Sequence, residues 1–79
     1  MNLVSVPSNS IEKVFDFLEK GGTLYVPTRT RCTVITGKTL AKFRKAGQWL
    51  LKEDGEGYRI QSGKSSVYLL PGQLSFAKN

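Results

Sequence analysis

The chain has 79 residues, with 12 Lys or Arg against 6 Asp or Glu, which gives a formal net charge of +6. A single domain of this length buries only a small core, so we do not expect a deep catalytic cavity. With one cysteine and no histidine, the composition excludes an intramolecular disulfide framework and a zinc site of the usual ligands, and we expect no metal and no cofactor.

The first strong secondary-structure signal is an amphipathic helix that begins after Asn9 or Ser10, with Glu12 completing a capping box. Residues 3–6, before it, can form an edge strand. The helix ends at Gly21-Gly22, which supplies a left-handed stop. Its apolar side chains recur at the spacing of one buried stripe: Ile11, Val14, Phe15 and Leu18.

The rest of the chain reads as short strands around one further helix. Strands are predicted at residues 23–26, 29–35, 48–51, 58–61, 67–70 and 74–76, a helix at 39–46, a loop at 53–57, a hairpin turn at 62–65, and a type II turn at Pro71-Gly72. We therefore expect one α+β domain over residues 1–79, with two helices on one face of a small, mostly antiparallel sheet and the order αββαβββ.

The tripeptide Gly37-Lys38-Thr39 lies between a predicted strand and a predicted helix, as at the end of a nucleotide-binding P-loop. That motif needs a glycine five residues before the Gly-Lys pair, and Cys32 stands there, inside an apparent strand. We therefore reject a nucleotide-hydrolysing loop. A helix start at this point could still hold one phosphate oxygen, or it could be purely structural.

Catalytic chemistry finds little support elsewhere in the sequence. Cys32 has no histidine to activate it, and its strand position predicts a small buried hydrophobic residue. The acids Glu53, Asp54 and Glu56 share a glycine-bearing loop, which is typical of a solvated turn. We expect no catalytic residue, no small-molecule substrate and no enzymatic activity.

The placement of charge is the strongest feature of the sequence. From Lys20 to Lys52 the chain carries eight basic residues and no acidic one. On the second helix, Leu40, Phe43 and Ala46 are predicted to face the core, with lysines opposite them. The candidate phosphate contacts are Arg29, Arg31, Lys38, Lys42, Arg44, Lys45 and Lys64.

This pattern favours a small basic protein that binds DNA or RNA through a lysine-faced helix and an adjacent basic strand and turn. Two alternatives stay open. The acids of the first helix could neutralise the lysines internally, or the protein could be an inhibitor or adaptor whose basic face docks on an acidic protein. In the second case Phe17, Trp49 and Leu50 would form the partner surface.

The same composition bears on location. The longest apolar runs are far shorter than the roughly 20 residues that span a bilayer, and residues 1–10 lack the basic and apolar segments of a signal peptide. We therefore expect a soluble cytoplasmic protein with no membrane contact, in keeping with a single cysteine in a reducing compartment.

Overall fold

The computed structural model describes residues 2–29, 32–62 and 64–78. In chain order the elements are β1 (Asn2–Val4), α1 (Ile11–Glu19), β2 (Gly22–Pro27), β3 (Cys32–Thr36), α2 (Gly37–Lys45), β4 (Leu51–Asp54), β5 (Gly57–Ser62), β6 (Ser65–Leu69), a 3₁₀ turn (Pro71–Gln73) and β7 (Ser75–Lys78). The predicted α+β class, with two helices and antiparallel strands, is confirmed. The strands form two sheets, however, where one was expected.

The larger sheet, sheet 1, has the strand order β1-β7-β2-β3, so the first and last described strands pair with each other. Leu24 on β2 lies opposite Ile35 on one side and Phe76 on the other. These three side chains are buried, and with Val14 and Leu18 of α1 they belong to one cluster. Residues 3–6 were predicted as an edge strand, and β1 is one edge of this sheet.

The smaller sheet, sheet 2, is a meander of β4, β5 and β6. Leu51 pairs with Ile60, which pairs in turn with Val67 on the third strand. The β4–β5 turn is tight, because Gly55 adopts a left-handed conformation with φ +60°. Leu51 and Ile60 join the same buried cluster as the side chains of sheet 1, so the two sheets share one core.

Helix α1 forms where predicted, but the predicted capping box is wrong. Ser10 is the N-cap, and within the described part of the chain its side chain makes no capping hydrogen bond. The Ile11 amide instead donates to the Glu53 carboxylate on sheet 2, at 3.4 Å. An acid at a helix N-terminus is favoured by the unpaired amides there. The predicted end is confirmed, with Gly21 at φ +98°.

The segment between α2 and sheet 2 differs from the predicted strand at 48–51. Gly47 has φ +71°, and the Gln48 amide donates to the carbonyl of Phe43 at 2.9 Å, which closes the end of α2. The strand therefore starts at Leu51 and runs through Asp54, part of which was predicted as loop.

Three smaller predictions were wrong. Pro71 and Gly72, predicted as a type II turn, begin a 3₁₀ turn, in which the Leu70 amide donates to the side-chain oxygen of Gln73 at 2.8 Å.

Cys32 was predicted to be buried but is exposed, since Thr33 and Ile35 are the residues of β3 that face the core side. Ala46 follows the last turn of α2 and is exposed.

Neither helix in the described ranges is long and apolar enough to cross a membrane.

Candidate nucleic-acid interface

Helix α2 presents a lysine face to solvent. Leu40 is only 3% exposed, and Phe43 packs partly buried against the core. The helical repeat then directs Lys38, Lys42 and Lys45 outward, and all three are exposed. The spacings of four and three residues place these ammonium groups along one side of the helix. We call these three residues the lysine face.

The N-terminus of α2 is held tightly against the end of α1. A Cβ on Gly37 would lie 2.6 Å from the carbonyl oxygen of Leu18, closer than such atoms approach. The strand Cys32–Thr36 runs directly into the helix, so the residues before Gly37 form a strand and not the glycine-rich loop that a P-loop needs. Thr36 is the N-cap, and its hydroxyl lies 3.4 Å from the hydroxyl of Thr39.

Arg44 is held differently from the lysines. Its guanidinium Nη1 lies 2.6 Å from Oε1 of Glu19 on α1, and its Cζ lies 5.0 Å from the centre of the Phe15 ring. Arg44, which was predicted as a phosphate contact, is thus held against α1. Because both partners are about half exposed, the pair contributes little to stability and leaves part of the charge accessible.

The acids of α1 do not neutralise the lysine face. Asp16 pairs with Lys20 on its own helix, with 3.0 Å between the charged atoms, and Glu19 pairs with Arg44. Among the described residues, no ion pair joins Lys38, Lys42 or Lys45 to an acid. Glu19 does line the same shallow groove as Lys38, between the two helices. Internal neutralisation thus reaches Arg44 but not the lysine face.

Two of the other predicted contacts, Arg29 and Lys64, lie on loops. Arg29 is exposed in the bend between β2 and β3, because the second strand starts three residues later than predicted. Lys64 is exposed in the β5–β6 turn. Arg31 lies outside the described residues. The structure therefore brings Arg44 and the lysine face together on one helix and places Arg29 and Lys64 on separate turns.

The predicted partner surface is only partly present. Leu50 is 4% exposed and belongs to the core, so its assignment to an accessible surface was wrong. Phe17 is partly buried and packs edge-to-face on Phe76, with 5.7 Å between ring centres. Trp49 is 38% exposed, and the Lys52 ammonium lies 4.4 Å from the centre of its ring.

The sequence did not reveal this Trp49–Lys52 pair. Predicting a strand at 48–51 placed Trp49 in regular structure, left Lys52 just beyond its end, and gave no reason for them to meet. The one available signal was that Trp49 and Lys52 are three residues apart, and this spacing is only weak evidence for a contact outside a helix. The pair lies just beyond the end of α2, so a cation and an aromatic ring are exposed close in sequence to the lysine face.

Comparison with protein-family models, with curated proteins and with solved structures gave no match. The charge, exposure and position of the side chains described above are therefore the basis for assigning a function.

Proposed function

We propose that this is a small, non-catalytic nucleic-acid-binding protein that contacts phosphates through the lysine face of α2. The observation that carries the proposal is the exposure of Lys38, Lys42 and Lys45 along one side of a helix, without an acid paired to them among the described residues. The chain's net charge of +6 adds a long-range attraction for a polyanion.

The electrostatic cost of this arrangement supports the proposal. Like charges three or four residues apart on a helix repel by a few tenths of a kcal/mol per pair. A row of phosphates bound to the lysines offsets that repulsion. The bound lysines also displace the counterions condensed on the nucleic acid, and this counterion release is the main source of non-specific affinity. Binding to a polyanion thus relieves the repulsion among the three lysines, which persists in the unbound protein.

Other side chains can extend this contact. Arg44 keeps part of its charge accessible beside α1, and the predicted contacts Arg29, Arg31 and Lys64 remain predictions. Trp49 offers a ring on which an unpaired base could stack, with Lys52 beside it. The exposed thiol of Cys32 fits the reducing cytoplasm, and we propose that the protein acts there.

The salt dependence of binding tests the proposal directly. We expect fluorescence anisotropy with duplex DNA, single strands and structured RNA to show affinity that falls as salt rises. On duplex DNA the slope of log affinity against log salt should be about −2.7 if three lysines each contact a phosphate. A flat salt response, or no binding at micromolar protein to any of the three nucleic acids, would contradict the proposal.

A charge-reversal pair locates the contact. Lys42→Glu with Lys45→Glu should weaken binding to every sequence and reduce the salt slope by about 2. The matched control, Lys13→Glu with Lys78→Glu, makes the same change in net charge at exposed sites on α1 and β7. Equal loss in both double variants, with unchanged circular dichroism, would show that net charge and not the lysine face is responsible.

A second candidate function follows from Trp49. Exposed tryptophan side chains are enriched at protein interfaces, and the Lys52 ammonium beside the Trp49 ring would suit an inhibitor or adaptor that docks on an acidic protein. Affinity capture from nuclease-treated extract separates the two. One stoichiometric protein retained after nuclease treatment, together with no direct nucleic-acid binding, would favour the effector over the nucleic-acid-binding protein.

A further inference from the structure

Sheet 2 turns one side to the core and leaves the other side exposed. Leu51 and Ile60 are buried on the core side, and successive residues of a strand point to opposite faces of a sheet. The pairing registers therefore place Lys52 on β4, Arg59 on β5 and Tyr68 on β6 next to one another on the exposed side. Tyr68 is 42% exposed, the Arg59 side chain is 37% exposed, and Lys52 is exposed. All three side chains are thus open to solvent.

Each end of this line is an aromatic ring beside a cation. The Lys52 ammonium lies 4.4 Å from the centre of the Trp49 ring, and the Arg59 guanidinium carbon lies 5.4 Å from the centre of the Tyr68 ring. Both distances are within the range of a cation–π contact. The order across sheet 2 is therefore ring, cation, cation, ring, and we call these four residues the aromatic row: Trp49, Lys52, Arg59 and Tyr68.

Two contacts fix the Tyr68 end of the aromatic row. Oδ2 of Asp54 accepts a hydrogen bond from Nε of Arg59 at 3.1 Å and lies 3.1 Å from its Nη2. The Tyr68 ring lies over Gly57, where an added Cβ would come within 2.8 Å of the ring carbon Cζ. The guanidinium and the ring are therefore held in place before a ligand arrives, so a ligand that uses them loses little free energy to side-chain ordering.

A shallow groove connects the Trp49 end of the aromatic row to α2. It has a volume of about 400 Å³ and is lined by Phe43, Gly47, Gln48, Trp49 and Gln61. Gln61 lies on β5, and the lysine face ends at Lys45, the last residue of α2. The groove therefore continues from the end of α2 that carries Lys45 onto sheet 2.

The charges around the aromatic row include one paired acid. Asp54 is paired with Arg59, whereas Lys52 forms no ion pair among the described residues. Glu53 lies on the other side of β4, where it accepts from the first amide of α1, and Glu56 is exposed in the β4–β5 turn. Lys52 thus keeps its charge for an anion, while the rings are the larger part of what this surface offers to a ligand.

We propose that the aromatic row binds a single strand of nucleic acid, with unpaired bases stacked on Trp49 and Tyr68 and the phosphate between them close to Lys52. This inference rests on the proposed function and narrows it to single-stranded DNA or RNA. Every unpaired base has a flat face that can stack on a ring, whereas a duplex turns only base edges outward. Rings alternating with cations match bases alternating with phosphates, and the carboxylates of an acidic protein match the cations alone.

Strands with and without bases test the proposal. The probes are a strand of about 12 thymidines, an abasic strand with the same phosphates, and a duplex of the same length. Trp49 is the chain's one tryptophan, so its fluorescence reports stacking at the aromatic row. We expect the thymidine strand to quench this fluorescence and to bind at least about 5-fold more tightly than the abasic strand. Equal affinity for the two strands without quenching would overturn the proposal.

Variants of the two rings locate the stacking. By fluorescence anisotropy, Tyr68→Leu and Trp49→Leu should each weaken binding of the thymidine strand by about 5-fold or more and leave the abasic strand unaffected. The matched control, Tyr25→Leu, removes a ring from β2 of sheet 1 and should change neither affinity. If Tyr68→Leu fails to fold by circular dichroism, Trp49→Leu, in the loop before β4, carries the test. An equal loss in the control variant would refute the assignment.

The three probes also separate this inference from the proposed function. If the abasic strand and the duplex bind with the salt dependence expected of the lysine face, and bases add no affinity, the lysine face is sufficient and the aromatic row is not a binding site. If none of the three binds, both proposals fail. If polyglutamate quenches Trp49 as strongly as the thymidine strand does, the aromatic row recognises anions in general, which would contradict its assignment to single strands.

Discussion

Tyr58 links sheet 2 to the segment before α1. Its ring is buried, and its hydroxyl donates to the carbonyl oxygen of Ser8 at 2.5 Å. Burial raises the pKa of Tyr58 above its usual value of 10.0, and the negative charge of Glu53 raises the pKa further. Glu53 is also the acceptor for the Ile11 amide, so one carboxylate acts on both the helix start and the tyrosine.

We expect this tyrosine to make stability depend on pH in the alkaline range. A raised pKa means that the folded state holds the phenol proton more tightly than the unfolded state, so the contribution is fully present below about pH 10. It is lost as the pH rises from there through the folded-state pKa. Urea midpoints between pH 7 and pH 11 measure the loss.

The control for this measurement is Tyr58→Phe. It should lower the free energy of unfolding at neutral pH by about 0.5–1.5 kcal/mol, because the Ser8 carbonyl loses its donor. Its alkaline decline should be shallower than that of the parent chain, since the phenol whose pKa is raised is then absent. Identical pH profiles in the two proteins would contradict the role given to Tyr58.

Individual residues were the hardest features to predict from the sequence. Cys32 was assigned to the buried face of its strand although it lies on the other one, and Leu50 was assigned to an accessible surface although it is buried. The strand containing Cys32 was predicted to start at residue 29 but starts at Cys32. The core side of this strand is the one that carries Ile35, and not the one that carries Cys32. In the loop before β4, nothing in the local pattern distinguishes buried Leu50 from exposed Trp49.

The two helices meet at a point that only glycine permits. Gly37 opens α2 directly under the carbonyl of Leu18, and any side chain there would strike that oxygen. This contact sets how closely α2 lies to α1, and therefore where Arg44 meets Glu19 and how the lysine face is directed.

We expect Gly37→Ala to destabilise the protein by about 1–3 kcal/mol, as overpacking usually does. Helix propensity alone would give the opposite result, because alanine is favoured over glycine in a helix by about 1 kcal/mol. Urea denaturation decides between them. The matched control is Gly72→Ala, which adds its methyl group into open space and should change stability by less than about 0.5 kcal/mol. A more stable Gly37→Ala protein would show that the helices can separate without cost.

Elements with a strong periodic pattern were predictable. The first helix and the lysine face both follow from apolar residues at helical spacing, and β5, β6 and β7 follow from the turns between them. The misplaced boundaries arise from contacts that the local sequence does not reveal. Glu53 on sheet 2 accepts a hydrogen bond from the first amide of α1. The side chain of Gln73 accepts one from the Leu70 amide at the start of the 3₁₀ turn.

At the scale of the molecule, one buried cluster connects both sheets and both helices. Leu18, Leu24, Leu40, Ile60 and Phe76 come from five different elements and belong to it. The sequence predicts the amount of secondary structure but not its division into two sheets, because strand order depends on pairings between distant segments such as β1 with β7.

Because the core is shared, we expect the two sheets to unfold together. Trp49 fluorescence reports on the region entering sheet 2, and far-ultraviolet circular dichroism reports on the whole chain. Their urea transitions should coincide. Ile60→Val should lower both midpoints equally, at a cost of about 0.5–1.5 kcal/mol. Separate midpoints would mean that sheet 2 is an independent unit.

The exposed thiol of Cys32 has a practical consequence. It is the chain's one sulfhydryl group, and β3 carries it on the surface turned away from the core. A maleimide resin would therefore tether every molecule by the same corner, with both helices directed outward. Such an oriented column could capture ligands of α2 while each tethered molecule is kept apart from its neighbours.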